Sequence, residues 1–350
     1  MTHPALKGHD TSNLSIRQSG IDVLRGRDGR EADYDAFEHL CADAFDDPRR
    51  GAVAVLTVYS DASYNQPSSI RPNPFLLHTV GCYIARVEDW RKFRTEWRLE
   101  LAKKGLDHFH MNKFEYAVNA VRTGRQISRK DAYYGWSEDE FVPFLKRLQR
   151  VINRKRRDGS FRMEAFISSV VKPDFEKTLP DELRDEPGCS SPYIFNVMIN
   201  MESLVQWTTQ HGYDGPIHYV FAGGDKEGGN LERWFDYCFS NEVARERYKL
   251  SKGYSRVGYS IEWMKAEPAL QAADIAAFEY NKLALRVLDT GKRVSEMNSA
   301  EVRRSLVNLC DTRHNGKLLA EKNLIPSFAE MVKFKKKHGS AFTLRELRPM

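Results

Sequence analysis

The stretch Val53–Ser63, VAVLTVYSDAS, constrains this 350-residue chain more than any other. Val53 to Tyr59 is an almost unbroken apolar and β-branched run. Its length is that of a strand, and its composition is that of a strand buried on both faces. The run then stops in polar residues, of which the first acid is Asp61. Two readings of that acid stand at this point. Asp is a favoured turn residue, so Asp61 could simply start a turn. A carboxylate at the mouth of a central strand is also held by rigid backbone within reach of solvent, which suits a metal ion or a reacting group.

The elements after it alternate in type. Phe75–Ala85 reads as a second strand, antiparallel to the first across the polar loop 64–74. Glu88–Lys104 is an amphipathic helix with Trp90, Phe93, Trp97 and Leu101 on its core face, closed by Gly105. In DHFHMNKFEYA, 107–117, a short extended piece would put His108 and His110 on one side, as metal ligands or proton carriers, or as one exposed and one core-bonded histidine. Residues 118–140 read as irregular. Helices over 138–155 and 193–210, strands over 161–171, 217–222 and 257–264, and shorter helices over 174–179 and 231–239 complete the alternation. This pattern predicts an α/β fold with a mixed β-sheet flanked by helices. Residues 1–50 read as an N-terminal extension, a polar arm followed by a short helix over 31–45. Residues 291–350 read as a mostly helical, basic C-terminal region.

Two motifs invite functional readings. GGDKEGGN, 223–230, is not a Walker-type phosphate loop, which needs GK[ST] after its second glycine. Its glycines suit a tight strand-to-helix turn presenting Asp225 and Glu227. The helix over 267–288 carries Gln271, Asp274 and Phe278 on one stripe, flanked by Ala272, Ala273, Ala276 and Ala277. Those alanines let its backbone approach a sheet, and an acid framed by them is poorly explained as a surface charge.

Cations cluster twice. Lys146, Arg147, Arg150, Arg154, Lys155, Arg156 and Arg157 crowd one helix face and its end, and KFKKKHG lies at 333–339. A charged face is usually only solvated, but these clusters also suit phosphate contacts. The net charge of +6 permits a polyanionic partner without demanding one. Five scattered cysteines with no CxxC pair predict reduced thiols, and no window is apolar enough to span a membrane, so a cytoplasmic protein is expected.

The isolated acids Asp61, Glu115, Asp225 or Glu227, and Asp274 fall at element ends or in the alanine-rich helix. Carboxylates gathered together repel unless a divalent cation neutralises them. The chain resembles the DUF3800 family, a group placed with the ribonuclease H-like superfamily, over about residues 52–288. The likeness rests on Tyr59-Ser60-Asp61-Ala62-Ser63 for a YxDES-like motif, Gly81, and the Trp90–Trp97 helix. It continues in His110-Met111-Asn112-Lys113-Phe114-Glu115 for an HMxxFE-like motif and Leu270-Gln271-Ala272-Ala273-Asp274 for LQxAD.

The resemblance implies a ribonuclease H-like nuclease using Mg²⁺ or Mn²⁺ on nucleic acid. Asp61, Glu115, Asp225 and Asp274 would ligate the metal. His110 would orient the site or assist proton transfer, and Gln271 would brace a neighbouring group or a phosphate. Two departures stand out. Ala62 replaces the usual Glu, and Ala222 stands where the family has an acid. The alternative is a nucleic-acid- or partner-binding protein of the same fold that has lost catalysis.

Overall fold

The structure, a computed structural model, describes residues 56–64, 76–224, 228–250, 259–293, 296–297 and 314–338. The chain divides into Met1–Ala54 and Val55–Met350, and every described residue belongs to the second unit. The expected N-terminal extension lies outside the described residues.

Strand β1 is Leu56–Tyr64 and β2 is Leu77–Arg86, joined antiparallel as the sequence predicts. Helix α1 (Val87–Ala102), α2 (Met111–Arg122) and α3 (Glu138–Ile152) lead to β3 (Glu164–Val171). The short α4 (Lys172–Thr178) and α5 (Pro192–Gln210) precede β4 (Ile217–Ala222), α6 (Gly228–Ser240) and α7 (Glu242–Arg247). Then come β5 (Tyr259–Glu262), α8 (Pro268–Thr290), β6 (His314–Leu319) and α9 (Glu321–His338).

Among the described residues the sheet has six strands in the order β5-β4-β1-β2-β3-β6. The β1–β2 and β2–β3 pairs are antiparallel, whereas β1–β4, β4–β5 and β3–β6 are parallel. The chain is therefore α/β with a mixed sheet, and β1 lies inside it.

Strand alternation divides the core in two. Leu56, Val58, Val80, Cys82, Ile217, Tyr219 and Phe221 pack with α5, α6 and α9 on one face. Tyr59, Tyr83, Ala85, Ala165, Ile167 and Val220 pack with α1, α2, α3 and α8 on the other. Helix α8 lies directly on β1 and β2 because Gly81 has no side chain. A Cβ there would come 2.7 Å from the Ala277 nitrogen and 3.2 Å from the Ala273 carbonyl oxygen. The alanines at 272–273 and 276–277 are completely buried, as close packing requires.

One expectation is corrected, and two gain detail. Residues 111–122 form a helix, not an extended piece running into irregular chain. The C-terminal region, read as mostly helical, also carries a strand: β6 joins the sheet against β3, and α9 packs into its core through Leu324, Phe328 and Met331. Of the cations of 333–339, Lys335 serves this docking, reaching Glu186 at 2.6 Å and donating to the Glu182 carbonyl oxygen, whereas Lys333 pairs with Glu330 within α9 itself.

Candidate functional site

Asp61 neither starts a turn nor ends its strand. It is the sixth residue of β1, half-buried, and its cross-strand partner is Gly81. Directly paired residues project to the same face of a sheet. The position a Cβ of Gly81 would take meets α8, so Asp61 projects to the face that α8 covers. One of its oxygens, Oδ1, accepts from the Ala62 amide at 2.8 Å.

Asp274 reaches that helical layer from α8. It is almost completely buried, and its Oδ2 accepts from the Met111 backbone N–H at 2.6 Å. Met111 is the first residue of α2, so the carboxylate meets the positive end of that helix and satisfies an amide that has no partner inside it. His110 holds the N-cap position without a capping side-chain bond. Its Nδ1 lies 3.1 Å from the same Oδ2 but off hydrogen-bond geometry, and it has no other hydrogen-bond partner among the described residues. Tyr133 closes this corner. Its hydroxyl bonds the His110 backbone, and burial first, with the Asp131 and Asp274 charges after it, pushes its phenol up.

Gln271, one turn before Asp274, is a brace. Its Oε1 accepts from Trp97 Nε1 at 2.8 Å and from the Phe109 N–H at 2.9 Å, and its Nε2 donates to the Met264 carbonyl at 2.9 Å. With the side chain so engaged and buried, the bracing role fits and the phosphate contact does not.

Glu115 is half-buried, one turn into α2. Asp225 and Glu227 lie outside the described residues. His108 and His110 do not act as a pair: His108 bonds Asp107 at 2.5 Å while His110 touches Asp274. Lys265 and His108 together hold the Asp107 carboxyl down to about 2.

One acid was missed. Glu262 is the β5 partner of Ala222, and Ala222 packs on the α8 side of the sheet. Glu262 therefore stands on the face shared by Asp61, about two strand spacings or roughly 10 Å away across the sheet. Burial, then the neighbouring Glu267 charge, raises its pKa. Residues 257–264 read as a strand, but only the register could place this carboxylate beside Ala222. Glu267 is itself held by Arg94, whose Nε lies 3.1 Å from Oε1 and which also donates to the Tyr59 hydroxyl.

No protein-family model, curated protein or solved structure matches this chain.

Among the described residues no three His, Cys, Asp or Glu side chains close on a point that could hold a metal ion. The described acids are hard oxygen donors, which suit Mg²⁺ or Mn²⁺.

The basic stretch divides. Arg147 pairs with Glu100 at 3.3 Å, Arg154 with Glu96 at 3.4 Å, and Arg156 with Asp89 at 2.7 Å. These three pin α3 and the chain after it to α1. Lys146, Arg150 and Arg157 are exposed, with no carboxylate partner among the described residues. Lys155 lies over the Phe161 ring at 4.8 Å. Among the described residues no helix is long and apolar enough to cross a membrane.

Proposed function

We propose that the chain is a metal-dependent phosphodiesterase acting on nucleic acid, of the DUF3800 kind and ribonuclease H-like in fold. One observation carries the reading. Asp61, in the middle of a central strand, projects to the face covered by α8, whose close approach at Gly81 brings Asp274 in over the same sheet. The mixed sheet flanked by helices is compatible with it. Asp61 and Asp274 would hold Mg²⁺ or Mn²⁺, with Glu115 and Asp225 as further donors. The ion would supply charge neutralisation at the phosphodiester and a more acidic bound water.

The protein's own groups do the rest. His110 sits at the edge of the buried corner with its Nδ1 3.1 Å from Asp274 Oδ2, and would assist proton transfer there. Gln271 fixes Trp97, Phe109 and Met264 around α8, so Asp274 cannot drift. Asp274 also holds the start of α2, which ties His110 and Glu115 to it.

A second reading, a nucleic-acid-binding protein without catalysis, is favoured by Asp274 spending Oδ2 on the Met111 amide and by Ala222 at the end of β4. Cleavage assays on single- and double-stranded DNA, RNA and hybrid with Mg²⁺ or Mn²⁺, beside Mn²⁺ calorimetry, separate the two. The phosphodiesterase reading expects cleavage and Mn²⁺ uptake, both abolished in Asp61→Asn. Identical behaviour of wild type and Asp61→Asn on every substrate would sink it.

A further inference from the structure

A cleft of about 590 Å³ opens at the far end of the central strand pair, bounded by the start of α1 and by the chain between α3 and β3. That chain is a small hairpin. Lys155 bridges Phe161, the Arg156 N–H donates to the Ser160 carbonyl, and Gly159 turns at φ +83°. Asp158 locks the turn by accepting from the Ser160 N–H and hydroxyl.

Six cations line the cleft against two carboxylates. The acid Asp89 is already neutralised, since Arg156 donates to its Oδ2 from Nε at 3.0 Å and Nη2 at 2.7 Å. Arg162 is paired with Glu96 at 2.9 Å. Arg86, Lys92, Lys155 and Arg157 stay exposed with no carboxylate partner among the described residues, and of the lining acids only Glu88 opposes them. Among the described residues the excess positive charge is therefore uncompensated. Its carriers are long side chains strung from the end of β2 to the hairpin. No glycine-rich cradle of amides converges on a single phosphate. A row of cations along an open groove matches an extended polyanion.

We propose that this cleft binds the phosphodiester backbone of a nucleic-acid strand. The site is distinct from the acid face. Arg86 pairs with Leu56 at the start of β1, whereas Gly81 pairs with Asp61, so five residues of strand, about 17 Å, separate the two. The proposal rests on the nucleic-acid half of the function above and not on catalysis. Arg156 positions the hairpin, and Arg86, Lys92 and Arg157 make the contacts.

The test is anisotropy of fluorescein-labelled single-stranded DNA and RNA with the full chain in EDTA, which removes any cleavage, over a salt series. The variant Arg86→Ala/Lys92→Ala/Arg157→Ala is expected to bind at least about tenfold more weakly, its log–log salt slope falling by about 2 for three lost single-strand contacts. Arg157→Ala alone, on the exposed hairpin, should weaken binding about two- to threefold and keeps the test sound if the triple variant does not fold. Wild type that binds oligonucleotide in EDTA but cleaves no substrate with Mg²⁺ or Mn²⁺ leaves the cleft standing whatever becomes of the phosphodiesterase reading. Three results overturn the proposal: wild type that binds neither strand, a triple variant with unchanged affinity and salt slope, or wild type that binds inorganic tripolyphosphate but no oligonucleotide.

Discussion

Gly81 and Ala277 meet with no room for a side chain between them, and that contact sets how far α8 sits from the sheet. Neither the strand nor the helix backbone can yield alone, since β2 is paired on both sides. Gly81→Ala should push α8 outward and cost about 1–3 kcal/mol, the range for overpacking a well-filled core. Urea denaturation reads the cost. A midpoint equal to wild type would show that the layers have slack the geometry denies.

Asp274 has two duties that substitutions can separate. Asp274→Ala leaves the first amide of α2 buried without an acceptor and should cost about 1–2 kcal/mol, as loss of a helix cap does. Asp274→Asn keeps an oxygen for that amide and should hold most of the stability while losing the ionic donor. Thermal melts beside Mn²⁺ calorimetry on both variants decide this. Equal destabilisation by Ala and Asn would remove the capping role.

Glu262 carries a pH signature. Its folded pKa is raised by burial and by the Glu267 charge. Below the unfolded carboxyl range the group is protonated in both states and neither gains nor loses. As pH rises through that range to the raised folded value, the folded state resists ionisation and stability falls. Glu262→Gln should therefore raise the melting temperature at about pH 7 and not at about pH 4. An equal effect at both values would point to lost packing instead of charge.

Arg156 joins the hairpin to α1 through a buried carboxylate. Arg156→Ala strands Asp89, which is 6 % exposed. Breaking a buried pair costs several kcal/mol, but Arg156 itself is 31 % exposed, so screening should reduce the loss to about 1–3 kcal/mol. Asp89→Asn in the same background should recover part of it. A double variant no better than Arg156→Ala contradicts the pairing.

Much of this architecture was legible in the chain. Val53–Tyr59 announced a strand inside the sheet, and the Trp90–Trp97–Leu101 spacing announced α1. The alanines beside Asp274 announced a helix lying hard on a sheet. What could not be read was set by partners distant in sequence. Helix α2 escaped notice because His110 caps nothing with its side chain, and the amide of Met111 is satisfied by an acid 163 residues later. Asp61 looked like the edge of a turn because the apolar run ends there, yet pairing with β2 carries the strand on to Tyr64. The cations after Lys146 were visible as charge, but their division into pinned and exposed groups depends on Asp89, Glu96 and Glu100, which α1 turns toward them.

The closeness of α8 to β1 and β2 also has a cost in time. The two strands are complete by residue 86, but their cover begins only at residue 268. At about 5–20 residues per second, a nascent chain would wait roughly 10–40 s between making these strands and making the helix that shields them. During that interval an apolar surface including Tyr59 and Tyr83 lacks the α8 part of its lid, and α2 lacks the acid that holds its first turn. The same contact that fixes the candidate site makes the molecule's assembly depend on a late segment of its own chain.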